Sequence, residues 1–270
     1  MKAKSQPRRK ASHKSLRGFR EAFAAEAMKG ARTAARKTAL FSPLFTCLLG
    51  LMSSGLVTAG HGPGGAGFNT YGWCWWYTLL LPVAIALVTA GVANIDVRQK
   101  FHGIMSAPMR LKGVWHAKVA YAYILVVVAN LVVGLSSSVI WLLGGNAADP
   151  LASAGMVALL SASSLWMIPA GLFLTMRFGM LCGIAMPLLI QLAAGIACYA
   201  NDIWWLLPPA AAMRLCSPLA GVAPSGVPLV PGEAFGVVDG AWTAALFVAV
   251  AFGVALVFTG ATWFAKREVN

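Results

Sequence analysis

The sequence predicts an all-α integral membrane protein: six transmembrane helices preceded by a basic amphipathic helix lying in the membrane interface. Three observations carry that prediction. The 270-residue chain is 59% apolar and only 11% charged, with a mean hydropathy of +0.74, too little charge to cover a soluble domain of that size. Its apolar residues gather in six runs, 40–60, 73–95, 119–143, 151–176, 180–200 and 241–265. Each meets the roughly 20 residues that a helix needs to cross the hydrocarbon core, and none shows the alternation of a barrel strand. Finally, cation-rich and cation-poor connections alternate along the chain, which under the positive-inside rule places both termini in the cytoplasm.

The first 38 residues are read as a basic cytoplasmic arm and residues 39–270 as the membrane domain. Twelve of the 21 Lys and Arg residues precede Thr38. Up to about Ser12 the arm is polar and is expected to be disordered. From Lys14 to Lys37 it is Ala-rich, with Leu16, Phe19 and Phe23 at helical spacing, which predicts the interfacial helix. The first apolar run follows this long basic segment at full span length and is read as a retained helix rather than a cleaved signal. The net charge of +13 sits at the ends of apolar runs, a pattern that fits an anionic membrane surface and not nucleic acid.

Between the second and third runs lies a basic island, "DVRQKFHGIMSAPMRLKGVWHAK" (Asp96 to Lys118), with five Lys or Arg against one acid. Gly103 and Pro108 break any long helix there, while Phe101, Ile104, Met105 and Met109 supply apolar contacts. Two readings stand: a rigid element that carries a push from a soluble partner into the bundle, or an ordinary loop anchored to lipid phosphates. Beyond the fifth run, 201–240 holds six prolines and the pair Trp204 and Trp205, which predicts short pieces packed against the bundle rather than a free loop. Gly179 and Gly183 form a GxxxG step continued by Pro187 and Gln191, and they are read as a helix-helix interface, between subunits or within the chain. Asn130 invites the same two readings.

Catalytic signatures are missing from the sequence. There is no HExxH, no P-loop, and no base near Ser225 in "APSGV". Five cysteines without CxxC spacing indicate neither a disulfide framework nor a zinc site. The expectation is therefore no catalytic residue, no metal and no cofactor of the chain's own. The apolar runs as delimited also lack Asp, Glu, Lys, Arg and His, whereas an ion-coupled carrier usually keeps an ionisable group near the midplane. Energy for transport is then expected from outside the chain.

Several motifs resemble known permeases. "EAMKGARTAARKTALFSPL" (Glu26 to Leu44) and "IMSAPM" followed by "AKV" are similar to the opening and the inner connection of type 2 ABC exporter permeases. "LWMIPAGLFLTMRFGM" (Leu165 to Met180) and "IWWLLPPAAAMRLCSPLAGVAPSGVPL" (Ile203 to Leu229) resemble the W-IP-LFL-KFG and WW-P-RL-CP-L-P-GLP segments of the lantibiotic-immunity permeases. The chain departs from that pattern in Pro209-Ala210 and in Ser225, where the family often has Asn. The resemblance implies a bacterial cytoplasmic-membrane permease with the type 2 exporter architecture. Its implied partners are an ATP-binding subunit, which would bind the ATP, and a second homologous permease or a second copy. Its implied cargo is a cationic antimicrobial peptide, cleared from the membrane for self-immunity. Phe101, Ile104, Met105, Pro108 and Met109 would then couple to the ATPase, and Trp204, Trp205, Pro208 and Arg214 would form the outer gate. Drug or lipid export, or a membrane anchor that transports nothing, are the alternatives.

Overall fold

The computed structural model describes residues 7–31, 33–55, 67–102, 110–230 and 232–266. Among them the chain is helical and holds no strand, only a bridge between Val222 and Pro228. Helix α1 covers Pro7–Gly30 and α2 Ala34–Ser53. Two π-helical turns, Asn69–Trp73 and Trp76–Leu80, lead into α3, Leu81–Arg98. Then come α4 (Leu111–Leu142), α5 (Pro150–Ser163), α6 (Met167–Phe178) and α7 (Met180–Cys198). A 3-10 turn at Trp204–Leu206 precedes the short α8 (Pro208–Arg214) and α9 (Ser217–Ala220), and α10 (Gly240–Ala265) closes the order.

Five helical runs among the described residues are long and apolar enough to cross a membrane: Asn69–Arg98, Leu111–Leu142, Pro150–Phe178, Met180–Cys198 and Gly240–Ala265. The protein is thus a multi-pass, all-α membrane protein. Helix α2, expected as the first span over 40–60, begins earlier and carries Arg36 and Lys37 in its first turn; residues 56–60 lie outside the described set. It runs unbroken through residues 38 and 39, and α1 and α2 are separated between Gly30 and Ala34. Likewise α1 is already helical at Pro7, within the stretch expected to be disordered.

Local chemistry explains the ends. Asp149 caps α5 by accepting a hydrogen bond from the Ala152 amide at 2.6 Å, with Pro150 next to it at the first helical position. Asp239 caps α10 in the same way through the Trp242 amide at 2.8 Å. Gly179, at φ +95°, makes the reversal between α6 and α7, where a side chain would be strained.

Small residues let the helices approach. Helix α2 turns Ala35, Ala39, Pro43 and Gly50 inward and leaves Leu40, Phe41, Leu44, Phe45 and Leu48 exposed, the pattern of a helix with one face in lipid. The indoles of Trp73 and Trp76, both fully buried, are tied down by polar partners. Trp76 Nε1 donates to Asn130 Oδ1 at 2.8 Å, and Asn130 Nδ2 donates to Ser161 Oγ at 3.0 Å, linking the second π-helical turn to α4 and α5. Trp73 Nε1 donates to Ser137 Oγ, which also accepts from Ser153 Oγ. Asn130 therefore finds its partners within its own chain.

Candidate functional site

The end of the bundle that holds the last turn of α3 and the first turns of α4 contains a closed circuit of four charges. Lys118 Nζ donates to Glu26 Oε2 at 2.6 Å and to Asp96 Oδ2. Lys29 Nζ donates to the other oxygen of each carboxylate, Glu26 Oε1 at 3.2 Å and Asp96 Oδ1 at 3.0 Å. Each carboxylate thus spends one oxygen on each ammonium, and the ring is neutral. Lys118 is 0% exposed, Asp96 2% and Glu26 3%, while Lys29 keeps 28% of its side chain in the open.

The circuit is assembled from three helices, α1, α3 and α4. On α1, Ala22, Glu26 and Gly30 fall four residues apart and form the buried stripe. Phe23 meets Tyr121 of α4 edge-on at 6.3 Å and stacks on Phe19. At the corner between α1 and α2, Arg36 Nε donates to the Tyr121 hydroxyl at 2.9 Å and Arg36 Nη2 to the Ala27 carbonyl at 2.7 Å. The inner face of α1, predicted to lie in the interface, is therefore clamped onto the bundle. Around Lys29, burial is the largest single influence and lowers its pKa, but attraction and hydrogen bonding from Glu26 and Asp96 together outweigh it, and the net shift is upward.

This site corrects one expectation from the sequence. The third apolar run was delimited at Val119, which left Lys118 in a loop; the helix in fact starts at Leu111 and takes Lys118 inside. A 32-residue helix is about 48 Å long against a hydrocarbon core of about 30 Å, so a centred α4 overhangs by about 9 Å at each end. Lys118 lies seven residues in, about 10 Å. A centred, untilted α4 would put the ring near the edge of the hydrocarbon and not at its middle.

The island begins at this ring. Helix α3 ends with Lys100 and Phe101 at φ 49° and 59°, two successive non-glycine residues in the left-handed region, with the Phe101 amide donating to the Asp96 carbonyl at 2.9 Å. The Phe101 ring packs partly buried against the core. Ile104, Met105, Pro108 and Met109 lie outside the described residues.

The opposite end of the bundle is closed by the Pro-rich segment. Trp204, Ala210, Ala211 and Leu215 form a small core with Ala245 and Ala249 of α10. Asn69 Nδ2 donates to the Ala220 carbonyl at 2.9 Å, and Trp242 Nε1 to the Leu215 carbonyl at 3.1 Å. Arg214 is sandwiched, its guanidinium 4.3 Å from the Trp204 ring and 4.6 Å from Phe235, and it donates to the carbonyls of Tyr199 and Ala234. Burial lowers its pKa, opposed by Asp239 and Asp202. Of the four expected gate residues, Trp204 and Pro208 are buried, Arg214 is committed to this sandwich, and Trp205 is 37% exposed.

The GxxxG residues separate in role. Gly183 lies against α6: a Cβ there would stand 1.8 Å from Thr175 Oγ1 and 2.9 Å from its Cα. Gly179 has nothing within 4 Å of its Cβ position and serves the turn. Gln191 is buried and donates to the Pro209 carbonyl at 2.9 Å, fastening α7 to α8. Both Gly183 and Gln191 thus pack within the chain. Gly183→Ala is expected to force α6 and α7 apart and to lower stability by about 1–3 kcal/mol, read from the unfolding midpoint in detergent; an unchanged midpoint would contradict this packing.

The sequence missed the ring because its members come from three segments, two of them read as arm and loop. A signal was present, in that Asp96 and Lys118 sit at the facing ends of consecutive runs, where a hairpin brings opposite charges together. All five cysteines are free, and no group of three or more potential metal ligands occurs among the described residues. Comparison with known proteins gives no match: no family model, no curated protein and no solved structure matches this chain.

Proposed function

We propose that this chain is the non-enzymatic permease subunit of an ATP-driven exporter in a bacterial cytoplasmic membrane. In this reading α2 is a sixth span, both termini lie in the cytoplasm, and a separate ATP-binding subunit docks at the charged end. A second permease, homologous or identical, completes the pore, and the cargo is a cationic antimicrobial peptide cleared from the membrane. The observation that carries the reading is the ring. It fastens α1 and the two helices flanking the island into one unit, so that force applied at the island reaches the bundle without being lost in a flexible joint. The motif resemblance supplies the cargo and the partners.

A buried lysine between two carboxylates also suits a proton-coupled carrier. Against that stand the ring's neutrality, its closed hydrogen bonding and, for a centred, untilted α4, its place near the hydrocarbon edge. One experiment separates the readings. The chain is expressed with its ATP-binding and permease partners in a sensitive host, and the inhibitory concentration of the peptide is measured. The expected result is a rise that disappears when the ATPase subunit is inactivated. Unchanged sensitivity with the assembled complex removes the peptide as cargo and leaves drug or lipid export, or anchoring. Protection that survives ATPase inactivation but fails under an uncoupler overturns the ATP-driven reading.

A further inference from the structure

An apolar groove of about 380 Å³ runs along the outside of the bundle between α6 and α10, lined by Pro169, Phe173 and Leu174 on one side and Leu256, Gly260 and Trp263 on the other. The two helices run in the same direction. Trp166 meets Phe252 at 6.3 Å near one end, and Phe173 meets Trp263 edge-on at 4.6 Å near the other. Beyond that second ring pair the chemistry changes. Arg177 follows Phe173 by four residues, and Lys266 follows Trp263 by three, so each lies one helical turn, about 5 Å, past the pair on its own helix's groove side. Both are exposed, and among the described residues neither forms an ion pair. Helices α6 and α10 contain no acid.

An apolar groove along α6 and α10, ended by two exposed cations that pair with no acid among the described residues and bordered there by a tryptophan, matches an amphiphile with a hydrocarbon tail and a negative head. We infer that the groove between α6 and α10 binds one acyl chain of an anionic phospholipid, with Arg177 and Lys266 holding the headgroup phosphate. A cationic peptide is disfavoured at this rim by like charge, and a zwitterionic lipid gains less because its own ammonium competes for the phosphate. The site thus binds bilayer lipid, separately from any cargo path.

Native mass spectrometry of the full-length chain, released from detergent with added phosphatidylglycerol or phosphatidylcholine, tests this. The expected result is one retained phosphatidylglycerol per chain and no retained phosphatidylcholine. Arg177→Gln with Lys266→Gln is expected to weaken retention about thirtyfold, two cations acting on one headgroup near the surface. Ala170→Phe with Thr259→Phe fills the groove and is expected to abolish retention while leaving the rim intact. Equal retention of the two lipids, or retention unaffected by both double variants, overturns the inference. A lipid-free dimer that dissociates in the groove-filling variant also overturns it, identifying the occupant as a second copy.

Discussion

Lys118→Met is expected to destabilise the chain by about 3–5 kcal/mol, the range for removing one partner from a buried ion pair. The substitution keeps most of the side-chain volume, so the loss is electrostatic: Glu26 and Asp96 remain buried with only Lys29 between them. The companion variant makes the cause legible. Glu26→Gln and Asp96→Asn added to Lys118→Met remove the stranded charges and leave Lys29, which already reaches the surface and can extend into solvent. Most of the lost stability is expected to return, as it does when whole buried charge networks are replaced by neutral groups. Thermal unfolding of the three proteins in one detergent checks this; a triple variant no more stable than Lys118→Met would mean that the ring is not the source of the loss. Lys29 adds a pH dependence whose sign is fixed. Because its pKa is raised in the folded protein, its contribution is fully present below the unfolded value of about 10.4 and is lost as pH climbs through the folded value. The ring therefore gives no Lys29-dependent change in stability across neutral pH.

The second large effect concerns the island. Replacing residues 104–108 with a Gly-Ser segment of equal length is expected to return a protected host to the sensitivity of one lacking the chain, while the protein still inserts and carries its ring. The reason is mechanical. The ion pair between Asp96 and Lys118 joins residues 22 positions apart, so both ends of the island are pinned at one point between α3 and α4. A partner pressing on a segment whose two ends are pinned is expected to move two spans; pressing on a Gly-Ser tether is expected to move neither. Protection and co-purification of the ATPase subunit are measured on the same variant. Full protection with a normal ATPase response would remove the coupling role from this segment. Lys100 and Phe101, held in the left-handed region, already show the chain constrained where it enters the island.

What could be read from the sequence was what depends on neighbours along the chain. Apolar runs long enough to span and a proline-rich segment too apolar to float free are both local patterns. What could not be read depends on how helices cross. The stripe Ala22, Glu26 and Gly30 lay unread in a segment taken from Leu16, Phe19 and Phe23 as an interfacial helix, because Glu26 stands among cations of the arm that are nearer to it in sequence than Asp96 and Lys118. Lys118 looked like loop because Lys112 and His116 precede it, although a helix longer than the hydrocarbon core keeps its polar residues in the overhang. At the other end, the stacking of Arg214 on Trp204 joins residues ten positions apart and was likewise beyond the reach of local pattern.

The ring also constrains how the protein is made. Glu26 and Asp96 leave the ribosome before Lys118, so a nascent chain that ends anywhere in the island holds two carboxylates and a single lysine to meet them. Until α4 arrives, the two carboxylates on α1 and α3 outnumber the ring's one lysine already made, so a chain truncated inside the island is expected to carry a buried negative charge that it cannot balance.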